Sequence, residues 1–251
     1  MRTGPKKEDY IFGTRAIIEG IEAGREVEKL LLQKNERNQL MQELVKLAKT
    51  HEIPVQYVPQ EKLNRITRKN HQGAIAFISP VKYLPMTEVV TSLYEEGKNP
   101  FLVILDRITD VRNFGAIART CECMGVDAII VPSRGSAMIT GDAVKTSAGA
   151  LNHIKVCREN NLKESIDFLQ DYGVNVVACT EKTDKEISTI DLTGPIALLM
   201  GSEEDGVSPE YLKKANEAGK IPMSGNISSL NVSVAAGMAA YEVVRQRLDH
   251  K

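Results

Sequence analysis

No apolar run in this 251-residue chain approaches the roughly 18 residues that a membrane-spanning helix needs. The opening "MRTGPKKEDYIFG" lacks the apolar centre of a signal peptide, so a cytoplasmic protein is expected. Cysteine is sparse. Cys121, Cys123, Cys157 and Cys179 sit in apolar stretches and form no C-x-x-C pair. They read as reduced packing thiols rather than metal ligands. The four histidines, His51, His71, His153 and His250, are too scattered to hold a metal. Net charge is nearly absent as well, at −1, so the whole chain is no obvious polyanion binder. The charge is uneven, though. Residues 1–80 carry 14 Lys and Arg against 10 Asp and Glu, and the remainder carries 18 against 23. A basic first part is compatible with a polyanionic partner without establishing one.

The common catalytic fingerprints are missing too. Nothing matches G-x-G-x-x-G after a strand, the phosphate loop G-x-x-x-x-G-K-[ST], or the nucleophile elbow G-x-S-x-G. No internal repeat or low-complexity segment stands out.

What is present is alternation of helix and strand signals. In residues 1–80, "TRAIIEGIEAG" and "ERNQLMQELVKLAKTH" have helical spacing, the second through Leu40, Leu44 and Leu47. "VEKLLLQ", "IPVQYVP" and "GAIAFISP" read as strands. Between the last two lies the most basic stretch, "EKLNRITRKNHQG", with Lys62, Arg65, Arg68, Lys69 and His71. It reads either as a solvated helix and loop or as a contact for phosphates. Residues 81–99 look like a linker followed by a short helix.

A second unit, 100–251, begins with the continuous apolar run "PFLVILD", which suits a strand buried on both faces of a parallel sheet. "DAIIVP", "HIKVC", "VNVVACT" and "PIALLMG" are further strands, with helical patterns at 113–125, 160–172 and 209–218. The fold class expected is α/β with a parallel sheet. The last helix contains "SSLNVSVAAGMAAY", rich in small residues, with Gly237 in its interior at a cost of roughly 0.5–1 kcal/mol relative to Ala.

Three segments stand above this background: "NFGAIART" (113–120), "LLMGSEEDGVSPE" (198–210) and "IPMSGNISSLNVSVAAG" (221–237). In the first, Asn113 can cap the helix that follows. Arg119 lies about 120° round an ideal helix from it. In the second, Glu203, Glu204 and Asp205 read as loop acids before a helix started by Ser208 and Pro209.

Together, in this order and spacing, the three segments resemble the SpoU/TrmH family of RNA ribose 2′-O-methyltransferases, knotted enzymes of the SPOUT superfamily. The resemblance covers essentially the whole chain and is most specific in "SSLNVSVAAGMAAYEVVRQR". It implies a deep trefoil knot in the C-terminal parallel-sheet domain. "IFGTRAIIEGI" and "HQGAIAFI" then resemble a small L30e-like substrate-binding domain. The implied cofactor is S-adenosylmethionine and the implied assembly a homodimer, with no metal. Within the family, the chain is most similar to members that methylate a guanosine ribose in 23S ribosomal RNA. The resemblance assigns catalytic roles to Asn113, Arg119, Glu203, Ser229 and Asn231, and cofactor contacts to Thr180, Gly201, Ile221 and Leu230. Lys62, Arg65, Arg68, Lys69 and His71 would help hold RNA.

The implied reaction is attack of a ribose 2′-oxygen on a sulfonium methyl. The leaving thioether is neutral, so the enzyme must align the oxygen and take up its proton. A guanidinium is a poor base near neutral pH. Arg119 is therefore read as a stabiliser of the developing alkoxide or a clamp on the neighbouring phosphate, with a base role second. Three other readings stay open: the same chemistry on transfer RNA, a non-enzymatic RNA-binding assembly factor, and a nicotinamide-dependent enzyme, which the missing glycine fingerprint disfavours.

Overall fold

The computed structural model describes residues 10–36, 38–227 and 229–249. Most of the opening stretch, at residues 1–9, and His250 lie outside them. The chain divides into two compact units, one of residues 1–82 with 138–142 and one of 83–137 with 143–251.

In the first unit the elements are β1 (Tyr10–Phe12), α1 (Thr14–Glu22), β2 (Val27–Gln33), α2 (Gln39–Thr50), β3 (Val55–Val58), α3 (Gln60–Ile66) and β4 (Ala74–Ile78). The sheet runs β1-β4-β2-β3, with β2 and β3 parallel and the other pairs antiparallel. Side chains alternate across it. Leu30, Leu32, Ala74 and Ala76 pack with Ile17, Ile21, Met41 and Leu44 of α1 and α2. Leu31, Ile75 and Phe77 face the other way and pack with Leu63 of α3. The phase of α2 differs from the sequence expectation. Asn38 caps it through Met41 N (2.8 Å), Met41, Leu44 and Ala48 are buried, and Leu40 is 39% exposed.

The second unit holds β5 (Tyr83–Leu84), α4 (Met86–Glu95), β6 (Phe101–Leu105), α5 (Val111–Cys123), β7 (Ala128–Pro132), all but the first two residues of α6 (Gly141–Thr146), β8 (Lys155–Glu159) and α7 (Leu162–Asp171). β9 (Asn175–Cys179), β10 (Ile196–Met200), α8 (Pro209–Lys214), β11 (Glu217–Gly219) and α9 (Val232–Asp249) complete it. Every pairing of its seven-stranded sheet, ordered β11-β9-β10-β6-β7-β8-β5, is parallel. As the apolar run required, β6 and β10 are buried on both faces. Leu102, Ile104, Ala197 and Leu199 share one core with α4 and α7, while Val103, Leu105 and Leu198 are buried on the other side.

Two segments differ from expectation. The short helix expected within 81–99 is α4, but the stretch expected as a linker before it carries β5, which pairs with β8, and Met86, Val89, Val90 and Leu93 of α4 enter the core. The helix expected over 209–218 stops at Lys214, because Asn216 turns its side chain to accept from Val176 N (2.8 Å) and starts an edge strand.

The strand order positions the site. β6, β7 and β8 run outward on one side, then β9 and β10 lie on the other, with β10 beside β6. The carboxyl ends of strands at such a reversal are where open α/β sheets receive ligands.

Candidate functional site

Loops leaving β6, β9, β10 and β11 converge at that reversal. The loop after β6 leads into α5, and here the capping expectation for Asn113 is corrected. Asp110 is the cap, its Oδ1 accepting from Arg112 N at 2.6 Å. Asn113 therefore sits inside the first turn with its side chain free for other partners. Its Nδ2 donates to Glu203 Oε1 (2.8 Å), and its Oδ1 accepts from Asn231 Nδ2 (3.1 Å). Asn231 Nδ2 also donates to Glu203 Oε1, at 2.6 Å. Three residues far apart in sequence thus close one hydrogen-bonded triangle. Asn231 Oδ1 in addition caps α9, accepting from Ser233 N (3.0 Å) and Ser233 Oγ (2.5 Å).

Beside the triangle lies a cavity of about 230 Å³. Thr180, Gly201, Ile221 and Leu230 all line it, with Glu203 and Ser229. Its apolar wall is Met200, Ile221, Leu230, Val232 and Ala235, and its charges are Glu181, Glu203 and Glu204; no Lys or Arg is among the lining residues. That donor set fits a ligand with an apolar ring and net positive charge, as S-adenosylmethionine has, and opposes an anionic dinucleotide. Gly201 has a packing reason of its own. A Cβ there would stand 2.0 Å from Val207 N, so only glycine lets the 201–207 loop fold back on itself. A second, polar cavity of about 240 Å³ adjoins the first, lined by Arg107, Thr109, Asp110, Asn113 and Asp205 and sharing Ser202, Glu203, Glu204 and Val232.

A tie that sequence reasoning missed holds these loops together. Arg107, with φ 58°, donates to Asp205 Oδ2 (2.8 Å) and Gly206 O (3.1 Å). Lys182, from the loop after β9, donates to Asp205 O (2.7 Å). Buried Asp106 accepts from Ser208 N (2.8 Å) and Ser208 Oγ (2.6 Å). The Asp106 hydrogen bond, followed by the Asp106 and Asp205 charges, raises the Arg107 pKa further, so this guanidinium stays charged. The run "SEEDG" offered no signal of this, because loop acids are common and the partners lie about a hundred residues away.

Arg119 is not brought to the triangle. It is exposed, and among the described residues it has no hydrogen bond or ion pair. Ser229 is also exposed. In the first unit Lys62, Arg65, Arg68 and Lys69 are exposed, Lys69 lying 5.9 Å over the Phe12 ring. His71 differs from its expected role. It is 5% exposed, its Nδ1 accepts from Gly73 N (3.1 Å) and its Nε2 faces Asn64 Oδ1 (2.9 Å). Both ring nitrogens are spent on shaping the loop, which leaves none for RNA. Among the described residues no group of three or more His, Cys, Asp or Glu is placed to hold a metal, and no helix is long and apolar enough to cross a membrane. Burial pushes Cys121, Cys157 and Cys179 up to about 12, so these thiols stay neutral, while Cys123 is exposed.

α9 packs against α5, but Gly237 is not forced by that packing. A Cβ there would meet only Thr120 Cγ2, at 3.4 Å. The demanding glycine is Gly115, whose Cβ would lie 2.7 Å from Thr146 Cβ. Gly237 lies instead in an apolar cleft of about 480 Å³ with Ile221, Val234, Met238 and Tyr241. Val234, Met238, Tyr241 and Leu248 form an exposed apolar stripe along α9.

Comparison with known proteins adds the following. The SpoU rRNA methylase family matches residues 100–241, and the RNA 2′-O ribose methyltransferase substrate-binding family matches 10–84. YacO of Bacillus subtilis, assigned to the TrmH family of tRNA/rRNA methyltransferases, is 34% identical over 96% of this chain and 97% of its own length. The AdoMet complex of the SpoU methyltransferase AviRb from Streptomyces viridochromogenes is similar in structure, with TM-score 0.61 and 25% identity over 96% of this chain and 90% of that one. The A. aeolicus TrmH/SpoU tRNA-modifying enzyme aligns with TM-score 0.56 and 29% identity over 65% of this chain and 85% of its own.

Proposed function

Because this chain belongs to the SpoU methylase family of S-adenosylmethionine-dependent RNA 2′-O-ribose methyltransferases, we propose that it methylates a guanosine ribose of 23S ribosomal RNA in the cytoplasm. The observation that carries the active-site reading is the Asn113–Glu203–Asn231 triangle beside a cavity lined by three carboxylates and no cation.

S-adenosylmethionine supplies an electrophilic methyl on a sulfonium. Ile221 and Leu230 would hold the flat apolar part of the cofactor, with the loop backbone at Thr180 and Gly201 alongside. The carboxylates favour its positive end. Glu203, bonded to two side-chain amides, fixes the carbonyl of Asn113 and the loop bearing Ser229. These groups would orient the ribose so that its 2′-oxygen lies in line, and alignment of this kind supplies several kcal/mol of rate. The proton would leave to solvent or to a group on the RNA. The exposed, unpartnered guanidinium of Arg119 would stabilise the alkoxide or grip the adjacent phosphate bidentately.

Arg119 does not reach the triangle within one chain, which supports a site completed by a second copy. The apolar stripe on α9 supports a homodimer that covers it. The trefoil knot that the family implies would be formed by the loops that follow β10 and β11. The first unit would be the L30e-like RNA-holding domain, working through Lys62, Arg65, Arg68 and Lys69.

Isothermal titration calorimetry with S-adenosylmethionine tests the cavity. Binding that is lost in Leu230→Glu is expected. RNA binding with no cofactor binding would leave an assembly factor instead.

A further inference from the structure

Two neighbouring residues at the end of β6 grip the whole acid loop. The loop leaves β10 at Met200 and returns at Ser208. Met200 O accepts from Asp106 N (2.8 Å). The buried Asp106 carboxylate accepts from Ser208 N and Ser208 Oγ, so one residue holds both ends. Arg107 holds the middle. Its Nη1 donates to Asp205 Oδ2 (2.8 Å), its Nη2 to Gly206 O (3.1 Å) and its Nε to Asp106 Oδ1 (3.2 Å). Between these points the loop is closed on itself. Ser202 N donates to Gly206 O (3.1 Å), Gly206 N to Ser202 O (3.0 Å) and Asp205 N to Ser202 Oγ (3.2 Å). Glu203 stands inside that closed turn, two residues from Asp205. A turn bonded in this way moves as one piece, so whatever holds Asp205 also holds Glu203.

Two features mark Arg107 as placed for position rather than for stability. Its φ of 58° is left-handed, where a long side chain costs free energy that glycine would not. Its ion pair with Asp205 is open to water, the side chains being 37% and 69% exposed, and such pairs add little to folding. What the bond does fix is the spacing of two segments. Arg107 lies six residues before Asn113, and Asp205 two after Glu203. The 2.8 Å bond from Asn113 to Glu203 needs both segments in register. The successive carboxylates of Glu203, Glu204 and Asp205 repel one another, and the guanidinium offsets that repulsion at the turn.

We propose that Arg107 is a positioning residue for methyl transfer, setting the acid loop through Asp205 and Gly206 so that Glu203 meets Asn113 and Asn231. This role rests on the reading that the triangle orients the ribose. Arg107 itself touches neither substrate nor cofactor. Its loss should therefore lower kcat and leave the KM for S-adenosylmethionine nearly unchanged.

The test is the initial rate of methyl transfer from labelled S-adenosylmethionine to RNA from cells lacking the gene, with Tm measured beside it. Arg107→Ala should lower kcat roughly tenfold or more and move the KM for S-adenosylmethionine by less than about threefold. Arg107→Gly relieves the left-handed backbone, so its Tm should equal or exceed that of Arg107→Ala, yet it should turn over as slowly. Arg107→Lys keeps one charged donor and should recover part of the rate. Asp205→Ala should also slow the reaction, and adding Arg107→Ala to it should cost less than Arg107→Ala costs alone. If Arg107→Ala matches the wild type while Glu203→Ala is inactive, the role of Arg107 is wrong and the triangle stands. If Arg107→Gly regains the wild-type rate, or if rate follows Tm across the series, Arg107 is a structural tie and nothing more. If Glu203→Ala keeps full turnover, the triangle reading fails and the role of Arg107 with it.

Discussion

In the second unit Asn113, Glu203 and Asn231 bond to one another, whereas in the first unit Lys62, Arg65, Arg68 and Lys69 stand without anionic partners among the described residues. The first arrangement suits chemistry. Its polar groups are already oriented, so little ordering is left for the moment a substrate arrives. The second suits capture of a polyanion, where unpaired cations hold only water and counter-ions that a phosphate chain can replace. Arg119 is the exception that joins the two. It is on the same helix as Asn113 yet unpaired among the described residues, like the cations of the first unit.

The sharpest way to break the comparison is therefore at Arg119. Arg119→Ala should lower turnover by a factor on the order of 10²–10³ while leaving S-adenosylmethionine affinity and Tm unchanged. Arg119→Lys keeps the charge and loses the fork, so full turnover in that variant would remove the bidentate role. Next comes Asn231→Ala, which takes away one corner of the triangle and the cap of α9. Loss of the cap should cost about 1 kcal/mol in denaturant unfolding, and turnover should fall more than that loss of folding explains. Asn231→Asp separates the two, keeping the cap but setting a second carboxylate against Glu203.

On the other side of the comparison, Arg68→Glu with Lys69→Glu should weaken RNA binding by roughly tenfold or more at low salt and leave cofactor binding intact. Equal loss of both would indicate misfolding. The smallest effect concerns the thiols. Cys121, Cys157 and Cys179 are raised from 9 to about 12 by burial. A folded-state pKa raised above the unfolded one gives stability that is complete below about pH 8.5 and lost as pH climbs toward 12. Alkylation at pH 8 should therefore label exposed Cys123 first, and the buried Cys121 and Cys157 only after unfolding.

Much of the fold was legible because its signals are local. The strand "VEKLLLQ" appears residue for residue as Val27–Gln33, and the "PFLVILD" run is buried on both faces because a central parallel strand meets helices above and below. β5 and β11 were not legible. With two and three residues, they owe their existence to neighbouring strands rather than to any periodicity of their own. In the site, the family resemblance pointed to Asn113, Glu203 and Asn231, while the helix pattern assigned the cap of α5 to Asn113 when Asp110 holds it. Arg107, Lys182 and Asp205 were invisible, since their meeting depends on three loops crossing. His71 was misplaced because a histidine in a basic stretch carries no mark of burial.

The central claim is that this chain places a 2′-O-methyl group on a ribosomal guanosine. Mass-spectrometric mapping of ribose methylation in ribosomal and transfer RNA, from cells with and without the gene, tests it most directly. One 2′-O-methylguanosine should be lost from 23S ribosomal RNA without the gene, restored by the wild-type chain and not by Arg119→Ala. Unchanged ribosomal RNA, with or without a missing transfer RNA methyl group, would contradict it.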